Sequence, residues 1–347
     1  MKKNLQCAVA LTLCVAAHPS FAQSSVTLYG VVDEGVQYLS GASSSGGKVV
    51  GLQSGNQWPS NFGITGKEDL GGGYSALFRL EEGIDVSTGK NVIPATPLNR
   101  AAYVGLQGPF GTVTMGRQYG VMFDQTLMYD PTYLAQFSLM SSNLIPSSIE
   151  QLNNSIKWLS PTYRGLSVEA MYGFGQQIAG NFRAGKYMGG ALAYANGGLS
   201  ARVLFEQTQG SSADGIDESG LKDQRMGVAM KYRLGDVTLE GGYHYVRGDL
   251  ELSPPGSIFN LGAIYSATAQ LNLVTEVIHY RTRNHEGTPL WFVLGSIYSL
   301  SKRTDLYAFA GYLDNRGGKS FTLNTYDFSS PGGLSQAGVQ LGITHRF

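Results

Sequence analysis

Cysteine is nearly absent from the chain, and the two that occur, Cys7 and Cys14, fall in an opening stretch that does not read as part of the fold. Lys2 and Lys3 give that stretch a basic start, an apolar run from Cys7 to Ala17 follows, and Pro19-Ser20-Phe21-Ala22 offers small residues before a cleavage point. These are the three parts of a secretory signal peptide, and the apolar run is too short for a bilayer-spanning helix, which takes roughly 20 residues. Residues 1–22 are therefore expected to be removed, leaving 23–347 as one mature unit without a thiol. Disulfides and Cys-ligated zinc are then excluded as sources of stability.

Charge is also scarce. Charged residues make up 14% of the chain, where about 25% is usual for a soluble domain. Lys plus Arg and Asp plus Glu balance at 25 each, and losing Lys2 and Lys3 tips the mature chain slightly acidic. That balance excludes a nucleic-acid partner of the usual basic kind. Long apolar runs are missing too: past the leader none approaches the roughly 18 residues of a membrane helix, and mean hydropathy is only −0.09. A soluble surface would carry more charge, and a helical membrane protein longer runs. A transmembrane β-barrel, whose strands alternate lipid-facing and lumen-facing residues, needs neither.

What the chain does have is period-two alternation. Val237, Leu239, Gly241, Tyr243 and Tyr245 stand opposite Thr238, Glu240, Gly242, His244 and Val246, and Val339, Leu341, Ile343, His345 and Phe347 opposite Gly338, Gln340, Gly342, Thr344 and Arg346. Similar faces occur in 166–174 and 199–206. Short turns such as Asp69–Gly73, Gly108–Gly111, Pro161–Gly165, Asn196–Gly198, Leu234–Asp236 and Ser301–Asp305 alternate with long polar segments such as 41–60, 87–98, 209–222, 249–256 and 314–336. This rhythm predicts an all-β fold: a sixteen-stranded antiparallel transmembrane barrel with both ends on the short-turn side. A barrel of that size has an aqueous lumen rather than a filled core. Alternation is weak in 99–108 and 271–283. The blurring, and the Gly- and Ala-rich early strands, are expected where outward faces meet a neighbouring subunit.

Several motifs in order resemble the general porins of Gram-negative bacteria in their β-proteobacterial form. They are Ser25-Val26-Thr27-Leu28-Tyr29-Gly30-Val31-Val32-Asp33; Phe62-Gly63-Ile64 with Gly66 and Glu68-Asp69-Leu70-Gly71; Tyr103-Val104-Gly105-Leu106; and Phe110-Gly111-Thr112-Val113 with Gly116-Arg117-Gln118. Asn154-Ser155-Ile156, Leu300-Ser301-Lys302-Arg303-Thr304-Asp305 with Tyr307, and the terminal His345-Arg346-Phe347 complete the set. The resemblance implies a homotrimer in the cell outer membrane, in contact with its lipid and lipopolysaccharide, that lets small hydrophilic solutes and ions diffuse passively. It also implies that Phe347 is read by the barrel-assembly machinery; its parity independently places it at an aromatic girdle.

Between two expected strands lies 121–152, too long for an unstructured connection and rich in apolar side chains such as Phe123, Leu134 and Phe137. Folding into the lumen would bury them, and in the resembling family the loop after the fifth strand forms the constriction. Asp124 and Asp130, with Glu150 at the loop's return, are assigned to its acidic side. Arg79, Arg100 and Arg117, which the family fold places opposite, and Lys67, by its parity with Asn61 and Gly63, are assigned to the basic side. Facing acid and base rows orient dipolar solutes and set ion preference. Pairing of an inward Arg with Glu81 or Glu169 in the wall is the alternative to an eyelet role. Relatives carry basic residues where this chain has Asn61 and Thr65, and an Arg where it has Gln151 and Leu152, so weak selectivity is expected.

No cofactor or metal is expected, because no His/Asp/Glu cluster has ligand spacing. The mature histidines, His244, His279, His285 and His345, lack a nucleophile elbow or partner serine, so an enzyme is not expected. A sugar-specific channel using Tyr119, Phe123, Tyr129 and Tyr133, and an adhesive barrel, stay open as alternatives.

Overall fold

The computed structural model describes residues 25–43, 45–283, 287–317, 321–324 and 333–347; the expected leader and His285 lie outside them. One antiparallel sheet closes on itself as a sixteen-stranded barrel. Its strands are β1 (Ser25–Leu39), β2 (Val49–Ser54 and Asn61–Gly71, two pieces of one strand), β3 (Tyr74–Asp85), β4 (Ala101–Gly108), β5 (Gly111–Tyr119), β6 (Gln151–Leu159), β7 (Leu166–Gly173) and β8 (Tyr187–Asn196). They continue as β9 (Leu199–Gln209), β10 (Lys222–Leu234), β11 (Val237–Gly248), β12 (Gly256–Ser266), β13 (Leu271–Thr282), β14 (Leu290–Ser299), β15 (Thr304–Asp314) and β16 (Gln336–Arg346). Each pairs with its sequence neighbour, and β1 pairs with β16 from Val31 opposite Arg346 to Leu39 opposite Gly338. That seam removes the open edges that a sheet cannot leave in lipid.

Parity sorts the side chains. In β16, Val339, Leu341 and Ile343 face out and are exposed, while Gln336, Gln340 and Thr344 face in and are buried. Phe347 extends this outward row, its ring packed over Gly30 and its backbone paired with the same residue. Short turns close one rim. The turn at Gly197 and Gly198, for example, needs a left-handed residue, and Gly197 supplies it with φ +57°.

Two departures from the sequence expectation concern the interior. Residues 49–54, expected as loop, are strand paired to β1 from Glu34 opposite Ser54 to Leu39 opposite Val49. The break in β2 at 55–60 turns inward, with Asn56, Gln57 and Ser60 buried. There it encloses Asp33, which accepts from Gln57 N (3.3 Å), Tyr307 Oη (3.0 Å) and Thr344 Oγ1. The second departure is the weak alternation of β13. Val274, Ile278 and Tyr280 face inward yet are buried, in one apolar cluster with side chains of the segment after β5 and, for Tyr280, against the Phe321 ring (5.2 Å). Apolar residues on the lumen side erase the apolar-out, polar-in signal.

Candidate functional site

After β5 the chain enters the barrel and lines one side of it. A helix, α1 (Val121–Tyr129), starts at Gly120 without a side-chain cap of its own. Its first free amides are satisfied by the wall instead: Val121 N donates to Tyr187 Oη (3.0 Å) and Met122 N to Glu206 Oε2 (3.0 Å). At the other end Lys231 Nζ donates to the Met128 carbonyl (3.0 Å) and Tyr129 Oη meets Ser200 Oγ (2.8 Å). An acid at the helix start and a base at its end also match the macrodipole. The helix is held by the barrel, not by its own sequence.

Beyond α1, Pro131 packs on Gly262, and Gln136 bonds the inward segment, its N to Asn56 O at 2.9 Å and its Nε2 to Gly55 O at 3.1 Å. The ring of Phe137 lies across Gly311 and Gly338. A one-turn 3₁₀ helix (Leu139–Ser142) and α2 (Ser147–Glu150) return the chain to β6. Inward glycines mark the whole path. A Cβ at Gly189 would lie 2.9 Å from Val121, at Gly227 2.7 Å from Gln125, at Gly262 2.5 Å from Pro131, and at Gly338 2.5 Å from Phe137. Real Cβ atoms do not approach so closely, so a side chain at any of them would move the loop. Leu134, Ala135, Phe137, Leu139, Leu144 and Ile149 are buried as a result, each large one contributing roughly 1.5–3 kcal/mol.

The assigned acids sit in three different settings. Asp124, 21% exposed, pairs with Lys157 Nζ (2.5 Å). Lys157 also reaches Glu169 (3.3 Å), which Arg202 completes (2.5 Å), giving a neutral quartet beneath the helix. Asp130 is 3% exposed, and its Oδ1 accepts from Thr132 N (2.8 Å) and Oγ1 (2.7 Å) in the loop's own turn. Glu150, 7% exposed, accepts from Gln151 Nε2 (2.7 Å). Burial pushes the carboxyls of Asp130 and Glu150 upward, against the Thr132 donors in one case and the charge of Arg100 in the other.

The assigned basic residues lie on a less covered stretch of wall. Arg79, 36% exposed, bonds Tyr29 Oη (2.6 Å) and shares Glu81 with Arg100, whose Nε lies 3.0 Å from Glu81 Oε1. Arg100 also lies over the Tyr119 ring (5.5 Å), which stacks on Phe123 at 4.3 Å. Arg117 reaches from the Asn99 carbonyl (2.6 Å) to Asn153 Oδ1 (2.7 Å). Lys67 is apart from these, bonding Gln107 Oε1 (2.7 Å) beside Ser25, Asp69 and Ser75 near the short-turn rim. Of the aromatics considered for a sugar track, Phe123 and Tyr129 are buried and Tyr133 is exposed.

Sequence reasoning missed Lys157, Tyr187, Arg202, Glu206, Arg225 and Lys231 as loop-holding residues. The signal that was available is the set of inward-parity glycines along the loop's path.

The comparisons agree with this architecture. The model of the Gram-negative porin family matches residues 8–318. Outer membrane porin protein 32 of Delftia acidovorans is 31% identical, over all of both chains. An anion-selective porin from Comamonas acidovorans superposes with TM-score 0.82 at 27% identity, over 93% of this chain and all of that one. OmpT of Vibrio cholerae in its trimer form shares the fold at TM-score 0.68 and 16% identity, over 93% of this chain and 99% of that one. With a closed barrel, an inserted loop and a family match over most of its length, the chain belongs to the Gram-negative porins, the channel proteins of the outer membrane.

Proposed function

We propose that this porin is a weakly selective, homotrimeric pore for small hydrophilic solutes and ions, narrowed by the segment 121–152. The observation that carries weak selectivity is cancellation of charge. Arg79 and Arg100 share one carboxylate, Glu81, while Asp124, Lys157, Glu169 and Arg202 sum to zero. What remains to set a field across the lumen is a small basic surplus near Arg79, Arg100 and Arg117. On the loop side Asp124 acts most directly and Glu150 next, while buried Asp130 acts only through the loop; Lys67 acts at the rim. A few uncompensated charges in a wide aqueous lumen are screened within about 8 Å at physiological ionic strength.

The trimer rests on the small outward residues of the early strands and on the trimer form known for a porin of like fold. Contact with lipopolysaccharide and reading of Phe347 by the assembly machinery are part of the same proposal. Phe347→Ala is expected to lower the yield of assembled barrel. Purified protein in a planar bilayer under a salt gradient tests the selectivity: a reversal potential close to zero is expected. A strong preference for either ion contradicts the reading.

A further inference from the structure

Arg225, on β10, is fully buried and tied to three segments at once. Its Nε donates to the carbonyl of Leu144, in the stretch between the 3₁₀ helix and α2 (3.0 Å). Its Nη2 donates to Ser253 Oγ, on the long outer segment 249–255 (2.9 Å), and faces Asp223 Oδ2 at 3.5 Å. Asp223, itself fully buried, spends its oxygens on that outer segment: Oδ1 accepts Glu251 N (3.0 Å) and Oδ2 accepts Leu252 N (2.8 Å). The inserted loop meets the outer segment directly as well, through Asn143 Nδ2 and the Leu252 carbonyl (3.5 Å) and through Ser253 Oγ and the Leu144 carbonyl (3.4 Å).

A buried guanidinium is a poor source of stability, because desolvation consumes most of the gain from its partners. Among the described residues its ion-pair partner Asp223 is at the long end of contact, and its Nη1 has no hydrogen-bond partner. What a rigid planar fork does well is fix the mutual position of several acceptors. Here the acceptors belong to different parts of the chain: the inserted loop's tip, the outer segment and the wall. The 3₁₀ helix ends at Asn143 in a left-handed conformation (φ +57°) that turns the Leu144 carbonyl onto Arg225.

We propose that Arg225 is the positioning residue that latches the tip of the inserted loop to the outer segment 249–255, so that the two move as one unit. A change imposed on 249–255 from outside the cell is thereby transmitted to the loop inside the barrel. The inference rests on the constriction reading only for its effect on current; the latch itself is a statement about loop mobility.

The test uses the full-length porin with Ser147→Cys, an exposed loop position in a chain without other mature cysteines, carrying a spin label. Arg225→Met keeps the side-chain length and removes the fork. The label is expected to gain a mobile component, with the loop-released population rising roughly tenfold or more, while the barrel keeps its strand content and heat resistance. Asp223→Asn, which weakens the hold on 249–255 and leaves Arg225 in place, is expected to release the label to a smaller degree. An unchanged label in folded Arg225→Met, or no effect of Asp223→Asn, overturns the latch. A released label with unchanged single-channel current supports the latch and instead contradicts the constriction reading.

Discussion

The two sides of the lumen are built by one alternation rule and come out as different materials. On β1 to β3 some inward side chains stay partly accessible, among them Tyr29, Arg79 and Lys67, although Glu81 between them is buried. On β8 to β15 the same parity leads to Tyr187, Leu204, Ile258, Ile278, Trp291 and Phe309, all buried in one cluster with the inserted loop's apolar side chains, with Glu206, Glu240 and Glu276 buried among them. One wall is a pore lining and the other is half of a hydrophobic core. The difference teaches that the strands decide which side chains point inward, and the loop decides which of those meet water.

The comparison breaks most severely where the loop is seated. Phe137→Ala removes the ring that lies across Gly311 and Gly338, and about 3–5 kcal/mol of loop seating with it. The covered wall is then expected to become accessible and single-channel conductance to rise, while the barrel still resists heat. Unchanged conductance in the folded variant would show that the ring does not hold the loop. Filling a seat tests the same contact from the other side, since Gly338→Leu places a side chain where the ring sits and is expected to act in the same direction.

Removing a helix partner is a milder disturbance. Glu206→Gln keeps an acceptor for Met122 N but loses the charge at the helix start, which is worth about 0.3–2 kcal/mol. The expected outcome is more frequent current fluctuation with an unchanged mean level, read from open-channel noise.

The less covered wall responds in selectivity rather than in seating. Arg79→Gln leaves Glu81 with Arg100 alone and removes the more exposed of the two charges. The reversal potential is expected to move toward cation preference, by more than with Arg100→Gln. The opposite order would mean that the field is set deeper in the wall than exposure indicates.

The smallest effect is on pH. Because burial raises the carboxyls of Asp130 and Glu150, the folded loop favours their neutral forms. Their contribution to seating is therefore full below the ordinary carboxylate range near 4 and is lost as pH rises through the higher folded values. Acidifying from neutrality also strips negative charge from the loop, so the reversal potential is expected to drift toward anions before exposed acids titrate. A drift toward cations would reverse the sign.

The barrel was legible from sequence because its evidence is local. Alternation and turn residues lie within a few positions of one another, so even the weakly patterned β4 and β13 fell within a residue or two of their observed limits. The piece Val49–Ser54 was lost because its Gly- and Ser-rich surroundings and the inward break at 55–60 hide its continuity with Asn61–Gly71. The placement of the loop was also legible, since so apolar a segment gains by burial. Its partners were not. Asp124 meets Lys157 from 33 residues away, and Met122 meets Glu206 from 84, so no spacing announces them. Blurred alternation was attributed to subunit contacts, whereas in β13 the cause is apolar side chains on the inward face, buried in the cluster that the loop joins.

The division into less covered and covered walls can be tested at one position. Met128 lies on the exposed face of α1, and Met128→Cys would be the sole thiol within residues 23–347. Reaction with a bulky, water-soluble thiol reagent during bilayer recording should lower the single-channel current in discrete steps, because the label would sit in the narrowed lumen. Complete labelling, confirmed by mass, with no change in current would mean that the loop does not border the conducting path.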